Sequence, residues 1–287
     1  MATLSPPPSF VEQRRGKTSW WMKAGWEAIL PDLVSRDLTE HSPILDSQSP
    51  ILNSRSLIRL PPPSGGNPPA PSVGGQSPVL IKGGRGTIQR IEVGRQEAII
   101  VRLYRRGGFV RYLTRDLYWD CPPRPFVELN CAEEVRRRGV PTVEVLGARV
   151  EWTTSVLYRG LLITRQAVGF HNLWDWLHTQ SAVDLRRSIL GTVAQAIATM
   201  HRAGIAHADL NPTNILVCSD YDPPQALLID FDRARRFPGP VPADLRESNL
   251  RRFRRFFNKN DILEEWITPT EFEYFRQVYE VALPLKR

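Results

Sequence analysis

Cysteine is scarce in this chain: three residues out of 287, Cys121, Cys131 and Cys218, with no even or regular spacing. That excludes a disulfide-stapled secreted scaffold and favours a reducing, cytoplasmic setting. Long apolar runs are also missing. The longest, such as AQAIATM and GLLIT, fall far short of the roughly 20 residues that a membrane-spanning helix needs. The opening residues do not run from a charged to an apolar region, so no secretory signal is expected. Histidine is sparse, five residues without zinc-type spacing, and no recognition helix or aromatic binding signature accompanies the basic runs. No nucleic-acid partner is expected. What remains is 41% apolar content, enough for one sizeable core or two small lobes.

Basic residues outnumber acidic ones, 38 to 30, for a formal charge of +8. Attraction to nucleic acid, to an anionic membrane surface or to a phosphorylated substrate would each suit that balance, as would a generic solvated surface. About half of the 25 prolines fall before residue 80, in segments such as SPPPS and LPPPSGGNPPAPSVGGQSP. Such composition cannot build a core, so residues 1–78 read as a mostly disordered extension. Within it, SWWMKAGWEAILPDLV, residues 19–34, reads as a short amphipathic helix that docks on the body of the protein or on lipid.

From residue 80 the texture changes. TIQRIEV (87–93) and EAIIVRLYR (97–105) predict a hairpin turning at Gly94, and PFVELNCAEEVRRRG (125–139) predicts a helix stopped by Gly139 and Pro141. Strands are expected near TVEVLGARVE and LLITRQAV. In VDLRRSILGTVAQAIATMHRAG, the residues Leu185, Ile189, Val193, Ile197 and Met200 recur at spacings of three and four, the mark of a helix buried on one face and closed by Gly204. No internal repeat is found.

Three residues further on stands HADLNPTNIL, residues 207–216, then the turn DYDPP and the run QALLID. Two short apolar runs about a turn read as an antiparallel hairpin. Pairing them brings Asn214, before the first strand, to the same end as Asp230, after the second, with Asp209 in the loop feeding that end. Two carboxylates and an amide supply oxygen ligands suited to a hard cation such as magnesium. Taken singly, Asp209 and Asn214 also suit hydrogen bonds to their own turn. A transition-metal set of His201, His207 and Asp209 is a second arrangement, and the chain offers no further histidine cluster to complete it.

Taken together, HADLN..N and IDFDRAR resemble the catalytic and metal loops of the protein-kinase-like superfamily, and in particular the bacterial lipopolysaccharide core kinases of the 3-deoxy-D-manno-octulosonic acid (Kdo) kinase type. GGRG (83–86), VRLYRRGG (101–108), ELNCAEEVRRRGVP (128–141) and ESNLRRFRRFFNK (247–259) follow that group in order. The resemblance spans roughly residues 80 to 260. It implies an α+β, two-lobed kinase-like fold with a small β-rich N-lobe over residues 79–166 and a reduced helical C-lobe over 167–287. It implies ATP and Mg2+ as cofactors and an alcohol group as phosphoryl acceptor.

The same resemblance implies the roles of individual residues. Asp209 would be the catalytic base and His207 a brace for its loop, while Asn214 and Asp230 would hold the metal. Arg102 occupies the strand position where kinases usually carry a lysine, with Glu128 as its partner; an exposed strand arginine is the plain alternative. Gly83, Gly84 and Gly86 would cover the nucleotide phosphates, although such glycines also serve ordinary turns.

Asn211 and Asp232 depart from the protein-kinase pattern, and only a short linker joins Asp232 to the basic helix near 244–258, leaving no activation segment. A glycolipid acceptor, a Kdo-lipid A precursor at the cytoplasmic face of the inner membrane, is therefore expected. Arg105, Arg106, Arg111, Arg115, Arg233, Arg235, Arg236 and RRFRR (251–255) would face an anionic membrane surface or the acceptor. A heptose or other glycolipid kinase, a small atypical protein kinase and a catalytically silent kinase-like scaffold are the alternatives.

Overall fold

The computed structural model describes residues 4–35, 79–82, 87–93, 97–104, 117–119, 121–179, 182–261 and 266–283. In chain order the strands and helices are β1 (Phe10–Arg15), β2 (Thr18–Lys23), α1 (Leu30–Ser35), β3 (Val79–Lys82), β4 (Thr87–Val93), β5 (Glu97–Leu103), α2 (Arg124–Arg137), β6 (Val145–Trp152), β7 (Tyr158–Arg165), β8 (His171–Asn172), α3 (Leu173–Thr179), α4 (Val183–Arg202), β9 (Ile205–Ala206), β10 (Ile215–Cys218), β11 (Gln225–Leu228), β12 (Arg235–Arg236), α5 (Ala243–Asn260) and α6 (Pro269–Ala282). Among the described residues, strands β1 to β7 form one sheet in the order β1-β2-β6-β7-β5-β4-β3. Its neighbours all run antiparallel.

The start of the chain departs from expectation. TSWWMK is a strand, not part of a helix over 19–34, and the helix there begins only at Leu30. The reason lies in the pleat, which sends successive side chains to opposite faces. Trp20 and Met22 bury on one face with Leu30, Val34, Ile99 and Ile163, while Trp21 buries on the other and stacks on Phe126 of α2, ring centroids 4.2 Å apart. A strand covered on both faces reads as a continuous apolar run, which periodicity alone does not separate from a helix. The cluster docks on the protein's own body, and residues 4–35 belong to the sheet lobe. The proline-rich stretch 36–78 lies outside the described residues.

Elsewhere the expected elements form. Strands β4 and β5 pair from Ile88↔Arg102 to Val93↔Glu97; Gly94 lies outside the described residues. Helix α2 ends at Arg137, with Gly139 (φ +79°) and Pro141 just beyond it. Along α4, Ile189, Val193, Ile197 and Met200 are fully buried, and they form with α3, α5, α6 and the β10–β11 hairpin the core of a second, mainly helical lobe.

Gly204 carries the chain out of α4 and into the stretch that holds Asp209. Its φ of +75° favours glycine, and an added Cβ would meet the Gly239 carbonyl oxygen at 2.3 Å and that of Phe237 at 2.6 Å. Its own carbonyl accepts a hydrogen bond from the Phe237 amide at 2.8 Å. Any side chain here would displace the backbone just ahead of the site.

Candidate active site

The loop after β9 is built on its own amides. Asn211 caps the 3-10 turn Pro212–Asn214, its Oδ1 accepting from the Thr213 amide at 2.9 Å and from the Thr213 hydroxyl at 2.6 Å. The Nδ2 groups of Asn211 and Asn214 both donate to the Asp209 carbonyl, at 3.1 and 2.8 Å. This leaves the Oδ1 of Asn214 as the atom able to ligate a cation. Strand pairing of Ile215 with Leu228, extended by the Ile229 amide donating to the Asn214 carbonyl at 3.0 Å, sets Asp230 beside Asn214. Among the described residues Asp230 is the only non-glycine residue with positive φ, +66°. An aspartate tolerates that conformation better than most residues, at a modest cost in backbone strain.

His207 binds the two halves of this end together. Its Nδ1 accepts from the Asp209 amide at 3.0 Å, so the protonated Nε2 donates to the Ile229 carbonyl at 2.9 Å. The ring packs against Phe231, centroids 5.1 Å apart. Burial holds the imidazole below its ordinary pKa, against the opposing hydrogen bond to Ile229. A neutral ring is what the Nδ1 acceptor requires.

A buried network carries this brace into the helical lobe. Asn249 of α5 accepts from the His207 amide at 3.0 Å through Oδ1 and donates to the His207 carbonyl at 2.9 Å through Nδ2. The same Oδ1 lies 3.2 Å from Nε2 of His201, which must therefore donate, and His201 Nδ1 accepts from the Tyr279 hydroxyl at 2.8 Å. Burial lowers the His201 pKa to about 4. With both ring nitrogens of both histidines engaged, the transition-metal arrangement of His201, His207 and Asp209 has no free imidazole donor.

The sheet lobe closes the site from above with charge. Arg102 of β5 contacts Glu128 of α2, and its Nη1 lies 3.3 Å from Asp230 Oδ1. Tyr104 donates its hydroxyl to the other oxygen of Glu128. Burial pushes the Glu128 carboxyl above the ordinary range, opposed by the Arg102 charge and the Tyr104 hydrogen bond. Arg124, at the start of α2, grips Asp232 with a bidentate fork, one arm Nε to Oδ1 at 2.8 Å, and its amide donates to the Tyr158 hydroxyl at 2.9 Å. The Asp232 hydrogen bond raises the Arg124 pKa further.

The predicted residues Arg102, Glu128, Asn214 and Asp230 thus form one connected group, with Asp209 tied to it through its backbone. The carboxylate of Asp209 is exposed, and Arg252 Nη1 stands 3.5 Å from its Oδ1. Gly83, Gly84, Gly86, Arg105, Arg106, Arg111 and Arg115 lie outside the described residues. Sequence reasoning missed Asn249, Tyr279 and Arg124. Asn249 carried a signal: an amide on the same helical stripe as the buried Leu250, Phe253 and Phe257, where a polar group needs internal partners.

Comparison with known proteins identifies the family. The model of the lipopolysaccharide kinase (Kdo/WaaP) family matches residues 79–279. A 3-deoxy-D-manno-octulosonic acid kinase of Xylella fastidiosa (strain 9a5c) is 32% identical over 217 residues, covering 73% of this chain and 81% of the relative. One from Vibrio vulnificus (strain YJ016) is 30% identical over 184 residues, covering 62% and 72%. A solved structure described as WaaP in complex with acyl carrier protein aligns with a TM-score of 0.48 at 18% identity, over 70% of this chain and 78% of that one. The expected α+β architecture, a β-rich lobe and a mainly helical lobe, is what the described residues form. The chain belongs to the lipopolysaccharide kinase (Kdo/WaaP) family and is a phosphotransferase with an alcohol group as acceptor.

Proposed function

We propose that the protein transfers the terminal phosphoryl group of ATP to a hydroxyl of a Kdo residue on a lipid A precursor, working as a peripheral protein at the cytoplasmic face of the inner membrane. The observation that carries this reading is the linkage of Asp209, Asn214, Asp230 and Arg102 at one edge between the lobes, in a chain whose relatives are named Kdo kinases. The acceptor oxygen attacks the γ-phosphorus, the bond to the β–γ bridging oxygen breaks, and ADP departs. Asp209 orients the hydroxyl and receives its proton. Arg102, permanently charged, faces the nucleotide phosphates and is held in place by Glu128.

The donor set fits magnesium. Among the described residues no three His, Cys, Asp or Glu side chains form an all-protein metal cage, but magnesium bound through substrate phosphates needs only one or two carboxylates and keeps its waters. Asp230 and Asn214 Oδ1 would hold it, where it would neutralise charge on the phosphates. The exposed Arg251, Arg254, Arg255 and Lys259 of α5 supply charge for an anionic membrane, where each such residue contributes about 1 kcal/mol close to the surface.

The test is incubation with labelled magnesium-ATP and a panel of lipid acceptors. Label is expected on a Kdo-bearing lipid A precursor and absent from the same lipid without Kdo. Label confined to heptose-bearing acceptors, or ATP turnover indifferent to any lipid, would overturn the reading.

A further inference from the structure

Among the described residues, Arg252 is the one cation at ion-pair distance from Asp209. Its position is not accidental to a flexible surface. Asn249 clasps both the amide and the carbonyl of His207, and the buried Phe253 and Phe257 seat the same helix in the core, so α5 is fixed against the catalytic loop. Arg252 lies three residues after Asn249, hence on the same helix face, about 4.5 Å further along the axis. A rigid element therefore presents its guanidinium at the exposed tip of the loop.

The contact with Asp209 is nevertheless weak. The two side chains are 52% and 64% exposed and 3.5 Å apart, a geometry in which a pair contributes little to stability. The arrangement suits exchange: a carboxylate arriving with the substrate can take Arg252 in a bidentate fork, stronger than the single long contact it replaces. An ulosonic acid carries such a carboxylate on the sugar that bears its hydroxyls. The side-chain NH2 groups of Asn211 and Asn214 are engaged with the Asp209 carbonyl, and Asn211 Oδ1 with Thr213.

We propose that Arg252 is a specificity-determining residue, whose guanidinium binds the carboxylate of the acceptor sugar and so orients a hydroxyl of the same sugar towards Asp209. The proposal rests on the Kdo-acceptor reading above and adds the group by which the acceptor is recognised. It explains how an exposed base selects one hydroxyl-bearing sugar. Arg255, exposed one turn further on, continues the positive strip.

The experiment measures steady-state transfer by the full chain to two acceptors, a Kdo-bearing lipid A precursor and its carboxyl methyl ester, for the native protein, Arg252→Ala and Arg252→Lys. The native protein should lose about 10- to 100-fold in kcat/KM on the ester, the range expected when a charged hydrogen-bonded pair is removed. Arg252→Ala should lose a similar factor on the acid, through acceptor KM, and little more on the ester, with the KM for ATP unchanged. Arg252→Lys should fall between, retaining charge without the planar fork. Equal transfer to acid and ester by the native protein would overturn the inference while leaving the Kdo reading intact, and that arm depends on no variant folding. An equal loss by Arg252→Ala on both acceptors, or a raised KM for ATP, would also overturn it. Absence of native transfer to any Kdo-bearing lipid would remove the acceptor reading and this inference together.

Discussion

The two sides of the site are held by different physics. On the helical side, Tyr279, His201, Asn249 and His207 form a buried chain of neutral hydrogen bonds ending on the backbone of the catalytic loop. On the sheet side, Arg102, Glu128 and Asp230, with Arg124 and Asp232, form ion pairs whose arginines remain about one third exposed. Neutral buried groups cannot exchange partners without leaving a desolvated donor or acceptor, so they preorganise the loop. Partly solvated charges exchange partners more readily, so the Arg102–Asp230 contact is the one that can open. The contrast teaches that the loop carrying Asp209 is fixed in advance, whereas the ion pairs of Arg102 are free to rearrange, as its proposed role at the nucleotide phosphates requires.

The comparison is broken most severely at Asn249. Asn249→Leu keeps the volume but strands the His207 amide and carbonyl and the His201 Nε2 proton, and should destabilise the protein by about 3 kcal/mol or more, read as a lower urea midpoint. Phosphoryl transfer at temperatures where the variant is folded should fall as well, since the loop loses its anchor. Unchanged stability would show that the network is dispensable.

Acid should weaken the helical side first. The folded His201 protonates near 4 against an ordinary 6.5, and His207 is shifted the same way. The unfolded chain therefore binds protons more readily over this window. The stability contribution is complete above pH 6.5 and is lost as pH falls towards 4, about 2 kcal/mol for His201 alone by pH 5. Glu134, Glu144 and Glu271, held below their ordinary 4.5, contribute to acid unfolding only below that value. Denaturation curves between pH 7 and 5 that superimpose would contradict the assignment of neutral, buried imidazoles.

The sheet side answers to different probes. Glu128→Gln removes the charge that steadies Arg102 and should raise the KM for ATP about tenfold, the lower end for a charged hydrogen bond, with a smaller change in acceptor KM. Asp232→Asn should have the mildest effect. Arg124 is one third exposed, so the loss should stay under about 1 kcal/mol. It should shrink further in 1 M salt, where screening is nearly complete. A salt-independent loss would move this pair into the class of the buried network.

Much of the site was legible because its chemistry is local. Asp209 and Asn214 are five residues apart, and the hairpin that brings Asp230 to them is the single short unit Ile215–Leu228. Arg102 and Glu128 needed the family resemblance, since 26 residues separate them. Asn249 and Tyr279 act on His207 and His201 from 42 and 78 residues away, distances at which a single sequence carries no pairing signal. Strand β2 was hidden for a related reason. Its partner β6 begins more than a hundred residues later, and only that pairing and the cover on both faces make sense of TSWWMK.

The most direct test of the central claim compares the native protein with Asp209→Asn for transfer of labelled terminal phosphate from magnesium-ATP to a Kdo-bearing lipid A precursor, with ATP binding measured in parallel. Because the Asp209 side chain is exposed and the loop is held through its backbone, the variant should fold and bind ATP as the native protein does. Label on the lipid should fall by about 10²- to 10⁴-fold, the usual worth of a general base. Transfer by the variant at the native rate would contradict the account.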